Sequence, residues 1–201
     1  MFLDDAINTI DNVAKRMSNL LAQLRKGRFE KSVGIVFSVR EMLQKAVNAN
    51  LKYILVLRGD GGPLLPKLDA ASIGGSKSVA TSIDLIRYIN RKYPGQFITG
   101  AAFNPYKPMP FELNRMKEKI DAGAKYAVTQ PVIGKDKNVD MLKDLNITIV
   151  VEAWMSENID LLYRSVGKKK DAKAENYDPI ENLKALHTFY PECSVYLSML
   201  N

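Results

Sequence analysis

The stretch FITGAAFNPYKPMPFELNRMKEKIDAGAKYAVTQ, residues 97–130, decides the fold. Phe97 to Ala102 is small and apolar and predicts a strand. Phe103-Asn104-Pro105-Tyr106-Lys107-Pro108-Met109-Pro110 cannot continue it, because three prolines remove backbone donors and fix the chain in turns. Phe111 to Ala122 has helical spacing, Gly123 punctuates it, and Tyr126 to Thr129 is apolar again. Strand, loop, helix, strand within this span is a right-handed crossover unit between parallel strands.

The alternation extends in both directions. Upstream, Ile7, Ile10, Val13, Met17, Leu20, Leu21 and Leu24 predict a helix within 4–27, making 1–30 an N-terminal helical segment. The run KSVGIVFSV, Lys31 to Val39, predicts a strand, Glu41 to Ala49 a helix, and Tyr53 to Leu57 a strand. Gly61 to Ser76 is a long Gly/Pro/Ser-rich loop, followed by a helix over Val79 to Lys92. Downstream come a short helix at Val139 to Leu145, a strand at Thr148 to Val151 and a helix at Ser156 to Ser165. A helix at Asp178 to Phe189 follows, with Asp178 as cap and Pro179 in its first turn, and then a strand at Val195 to Leu200. That makes six strands, near residues 33, 53, 97, 126, 148 and 195. An open doubly wound sheet and part of a (β/α) barrel both fit, in one domain over 1–201. In either, ligands bind at the carboxyl ends of the strands. The irregular stretches, 58–78, 103–110 and 130–138, all follow strands.

Composition narrows the chemistry. One cysteine, Cys193, and one histidine, His187, exclude a disulfide framework and a histidine-cluster metal site, so no metal is expected. The N-terminus lacks a signal-peptide pattern and no stretch approaches the ~20 apolar residues of a membrane span, so a cytoplasmic protein is expected. The net charge of +7 is scattered among acids and does not predict nucleic-acid binding. Lys168-Lys169-Lys170 reads first as a solvated loop, with a phosphate-contacting loop as the alternative.

Arg58-Gly59-Asp60 ends the strand at Tyr53 to Leu57. An adhesion tripeptide and a plain surface ion pair are both possible locally. The functional reading is that Gly59 admits a flat ligand close to the backbone, while Arg58 and Asp60 present opposite charges to it. Gln130 ends another strand and could meet a heterocycle edge or simply open a loop. Glu112 and Lys119 stand seven residues apart on one helix face, as surface charges or as ligand contacts. Trp154 could stack on a ring or fill the core, and His187 reads as structural. The dinucleotide glycine fingerprint, the P-loop, the serine-nucleophile pattern and the zinc-protease pattern are all absent.

Taken together, ILVLRGD, FITGAAFNPYKP, LNRMKEKIDAGAKYAVTQP and IVVEAW resemble the methylenetetrahydrofolate reductase family, in order and at suitable distances over roughly residues 30–200. The Asp-Ala-Gly-Ala…Thr-Gln segment is the most specific element. The resemblance implies strands 3 to 8 of a (β/α)8 barrel, with a chain that is a short or N-terminally incomplete form. It implies FAD and the reduction of 5,10-methylenetetrahydrofolate to 5-methyltetrahydrofolate by hydride from the reduced flavin, recharged by NAD(P)H or a redox partner protein. It also implies Arg58, Gly59, Asp60, Ala101, Phe103, Lys107, Glu112 and Lys119 around FAD, and Asp60 and Gln130 at the folate, with Asp60 catalytic.

The departures are specific. Phe103 stands where the family has tyrosine, Asn104-Pro105 where it has Pro-Glu, Lys107 where it has histidine, and Glu112 where it has aspartate. The glutamate that serves the family as general acid on its first strand has no match. A degenerate flavin- or pterin-binding barrel subunit acting in a complex is the second reading, and a homo- or hetero-oligomer is expected from incomplete strand closure.

Overall fold

The computed structural model describes residues 35–57 and 67–199. Five strands form one parallel sheet: β1 (Tyr53–Val56), β2 (Ile98–Phe103), β3 (Tyr126–Thr129), β4 (Thr148–Trp154) and β5 (Ser194–Ser198). The helices are α1 (Ile35–Asn48), α2 (Ser82–Lys92), α3 (Met109–Asp121), the short α4 (Lys137–Asp140), which continues as a tighter turn over Met141–Leu145, α5 (Ile159–Ser165) and α6 (Pro179–Phe189). The spatial order of the strands is their order in the chain. A doubly wound sheet reverses direction at a switch point, whereas a barrel adds each strand beside the last. The order therefore selects the barrel-type alternative: a parallel α/β sheet compatible with part of a (β/α) barrel.

One predicted strand is corrected. Of the run at Lys31 to Val39, residues 35–39 are the first turns of α1, so the described sheet has five strands rather than six. The run is short, apolar and β-branched, and periodicity alone does not separate a strand from a buried helix there. Val39, Leu43, Ala46 and Val47 recur at helical spacing and pack on the core, which makes the segment one helix with the predicted Glu41 to Ala49. The predicted helix within 4–27 lies outside the described residues.

The two faces of the sheet differ. Val56, Ala101, Phe103, Ala127, Ile149, Val151 and Ala153 point toward the helices and join Leu43, Ile83, Ile86, Ile89, Met116 and Leu186 in one buried core. The alternate residues form the other face: Tyr53 and Leu55, Gly100 and Ala102, Tyr126 and Val128, Val150 and Glu152, Tyr196 and Ser198. Among the described residues this face is thinly covered, with Tyr53 69% and Tyr196 52% exposed. Tyr126 packs edge-on against Tyr53, ring centroids 6.1 Å apart, and its ring lies over Gly100, where a β-carbon would collide with it.

The Asp-Ala-Gly-Ala segment is a junction that fixes α3 to the sheet. Gly123 has φ +111°, a conformation that costs a residue with a β-carbon, and that carbon would also strike the Asn90 carboxamide. Asn90 Nδ2 donates to Thr99 Oγ1 (3.1 Å) and to the Ala122 carbonyl (3.3 Å), while Thr99 Oγ1 donates to the Gly123 carbonyl (3.2 Å). The predicted cap of α6 is present: Asp178 accepts from the Glu181 amide at 2.8 Å, with Pro179 at the start. No described helix is long and apolar enough to cross a membrane.

Candidate functional site

Among the described residues, the loops after β2 and β3 meet at the carboxyl ends of the strands. Arg58, Gly59 and Asp60 lie outside the described residues. Leu57, directly before them, is 54% exposed at the end of β1. Gln130 follows β3, and its amide donates to the Phe103 carbonyl at 2.8 Å, tying the ends of β2 and β3 together. By strand alternation its side chain belongs to the open face. Ala101 and Phe103 belong to the other face and are fully buried in the core, main chain included, and the Phe103 carbonyl is taken by the Gln130 amide.

Glu112 and Lys119 share a face of α3, as their spacing predicts, and both are buried, at 5% and 8% exposure. They turn inward to the main chain of β2 and its loop. Glu112 Oε1 accepts from the Asn104 amide at 3.0 Å, Lys119 Nζ donates to the Ala102 carbonyl at 2.7 Å, and the two charges stand 3.9 Å apart. Burial holds the Lys119 pKa below the ordinary lysine value, with Glu112 opposing that shift. The pair thus shapes the turn after β2, which carries Lys107.

Lys107 lines a cavity of about 550 Å³ between the loops that follow β2, β3 and α5. Tyr106, Asn138, Tyr163, Lys168 and Lys169 line it too, so two lysines of the run read first as a solvated loop are exposed at a cavity rim. Its two acids are both engaged: Asp136 caps α4, accepting from the Asn138 and Val139 amides (2.8 and 3.2 Å), and Asp171 accepts from the Tyr163 hydroxyl (2.6 Å). Burial, then Asp171, pushes the Tyr163 hydroxyl up to about 12, so it stays a donor. Tyr106 donates to the Pro131 carbonyl at 2.5 Å, which ties the two loops together. Three ammonium groups at the rim suit phosphate or carboxylate oxygens.

Trp154 is core: it is 1% exposed and packs with Leu162, Tyr163 and Val166. Glu152, which the sequence reading did not single out, is on the open face of β4. Burial raises its pKa, and a hydrogen bond with Ser198 works against that shift. The signal in the sequence is a lone carboxyl inside the apolar run ITIVVEAW. Among the described residues no three His, Cys, Asp or Glu side chains gather as a metal site.

A model of the methylenetetrahydrofolate reductase family matches residues 35–152, from the start of α1 to Glu152. The chain belongs to this family. It is 33% identical over 102 residues to methylenetetrahydrofolate reductase 2 of Saccharomyces cerevisiae, covering 46% of this chain and 16% of that protein. It is 31% identical over 129 residues to methylenetetrahydrofolate reductase 1 of Schizosaccharomyces pombe, covering 57% of this chain and 21% of that protein. The chain thus spans about a fifth or less of the length of these reductases.

Proposed function

We propose that the chain is the flavin-binding part of a methylenetetrahydrofolate reductase, acting as one barrel-type domain of a cytoplasmic oxidoreductase. The observation that carries this is the family match over residues 35–152, which takes in both Arg58-Gly59-Asp60 and Thr129-Gln130. The residues fit FAD in kind: the cavity rim offers Lys107, Lys168 and Lys169 to phosphates. Bound FAD supplies hydride to the methylene carbon of the folate, and NAD(P)H or a redox partner recharges it.

The chain's own residues bind and orient. Asp60 presents a carboxylate to the flavin, which disfavours the anionic reduced form and makes it a better hydride donor. Arg58 offers a planar cation and Gly59 a close backbone approach. Glu112 and Lys119 act on the cofactor through the turn they hold rather than by touching it. Gln130 meets the amide-like edge of the pterin. Asp60→Asn tests this: folate reduction should slow far more than flavin reduction, and equal slowing would overturn the role of Asp60.

The exposed tyrosines of the open face favour a second reading, a barrel subunit that completes its fold against another chain. Light scattering decides it: an oligomer supports this reading, and a monomer that reduces folate removes it.

A further inference from the structure

Folate reduction needs a proton as well as a hydride. The methylene carbon bridges two nitrogens. Protonating the amine nitrogen N10 lets its bond to that carbon break, with the electron pair leaving on nitrogen. The lone pair of N5 then forms an iminium, and the hydride that reduced FAD would supply when bound turns it into the methyl group. One proton and one hydride are consumed, and the flavin ends oxidised.

We propose that Glu152 on β4 is the proton donor for this ring opening; this rests on the folate-reductase reading above. Glu152 is the one carboxyl on the open face of the described strands. The register Val128↔Val150, carried two residues onward, sets it level with Gln130, the residue that follows β3. Its backbone is pinned on the β3 side: the Glu152 amide donates to Thr129 Oγ1 (3.0 Å), and its carbonyl accepts from the Val132 amide (3.0 Å). Position, not chance rotation of the strand, aims it at the ligand face beside the residue expected to hold the pterin.

Its surroundings suit a proton carrier. Tyr196 and Ser198 on β5 and Tyr106 from the loop after β2 face it, and all are uncharged. Among the described residues no lysine, arginine or histidine is within ion-pair distance of its carboxyl. Partial burial without a cation shifts its pKa upward from the ordinary glutamate value, the direction that favours a proton donor. After delivery, the carboxylate regains a proton from solvent through the open face.

Two measurements test the assignment. In the flavin-free full chain, difference infrared spectroscopy against Glu152→Gln should show a carboxyl that titrates above the ordinary glutamate value. A carboxyl ionised at the ordinary value would overturn the proposal. In the flavin-loaded protein, Glu152→Gln should slow folate reduction at least about 100-fold more than flavin reduction, with loss of the alkaline limb of the pH profile. Equal slowing of both half-reactions, or a retained alkaline limb, would overturn it as well. A chain that binds no flavin would refute the reductase reading itself, and the infrared titration would still report on Glu152.

Discussion

Removing one charge from the buried pair beneath the turn after β2 should cost far more than removing both. Glu112→Ala strips the Asn104 amide of its acceptor at 3.0 Å and leaves the Lys119 ammonium, 8% exposed, without the carboxylate 3.9 Å away. Breaking a buried ion pair from one side typically costs about 3–5 kcal/mol, and the stranded amide falls within that range. For a domain of this size, ~2–4 °C of Tm accompanies each kcal/mol, so a drop of roughly 6–20 °C is expected. The double variant Glu112→Ala/Lys119→Met removes the stranded charge and fills its space with an apolar chain. It should regain more than half of the loss. Urea unfolding of the parent, both single variants and the double variant gives the coupling directly. If Glu112→Ala unfolds within ~0.5 kcal/mol of the parent, solvent accommodates the pair and it does not hold the turn.

Other outcomes follow from the same structure. Gly123→Ala should destabilise by about 1–3 kcal/mol in thermal or urea melts, through both its positive φ and the Asn90 collision; an unchanged melt would show that the junction relaxes freely. Lys168→Ala/Lys169→Ala should weaken flavin binding roughly tenfold and flatten its salt dependence, read by fluorescence titration; unaltered affinity would remove the cavity from the phosphate site. Because burial raises the Glu152 pKa in the folded chain, stability tied to that group is present below the unfolded pKa and is lost as pH rises through the folded one. Glu152→Gln should therefore flatten stability against pH across that window and leave the variant relatively more stable at neutral pH; identical curves would contradict the raised value.

Much of the architecture was legible because strand and helix have different periods and each element is short. Tyr126 to Thr129 is a strand with the predicted bounds, and Asp178 caps α6 as its residue type and the following proline imply. The run at Lys31 to Val39 failed because a buried helix and a buried strand are both apolar on every side over so few residues. Helical spacing only appears when Val39, Leu43 and Val47 are read as one series. The shared face of Glu112 and Lys119 was legible from their spacing, but its direction was not: spacing cannot say that both turn toward the main chain of β2. The lysines at 168 and 169 face a cavity because α5 ends where it does, a tertiary fact. Glu152 was overlooked because it was read as part of a strand rather than as a charge on one side of it.

The most direct test of the account is to mix the purified full chain with FAD, remove the excess, reduce the bound flavin without oxygen and add 5,10-methylenetetrahydrofolate. The account predicts a yellow protein whose bleached flavin regains its oxidised spectrum as 5-methyltetrahydrofolate forms. A chain that stays colourless after FAD titration, or whose reduced flavin ignores the folate, would contradict it.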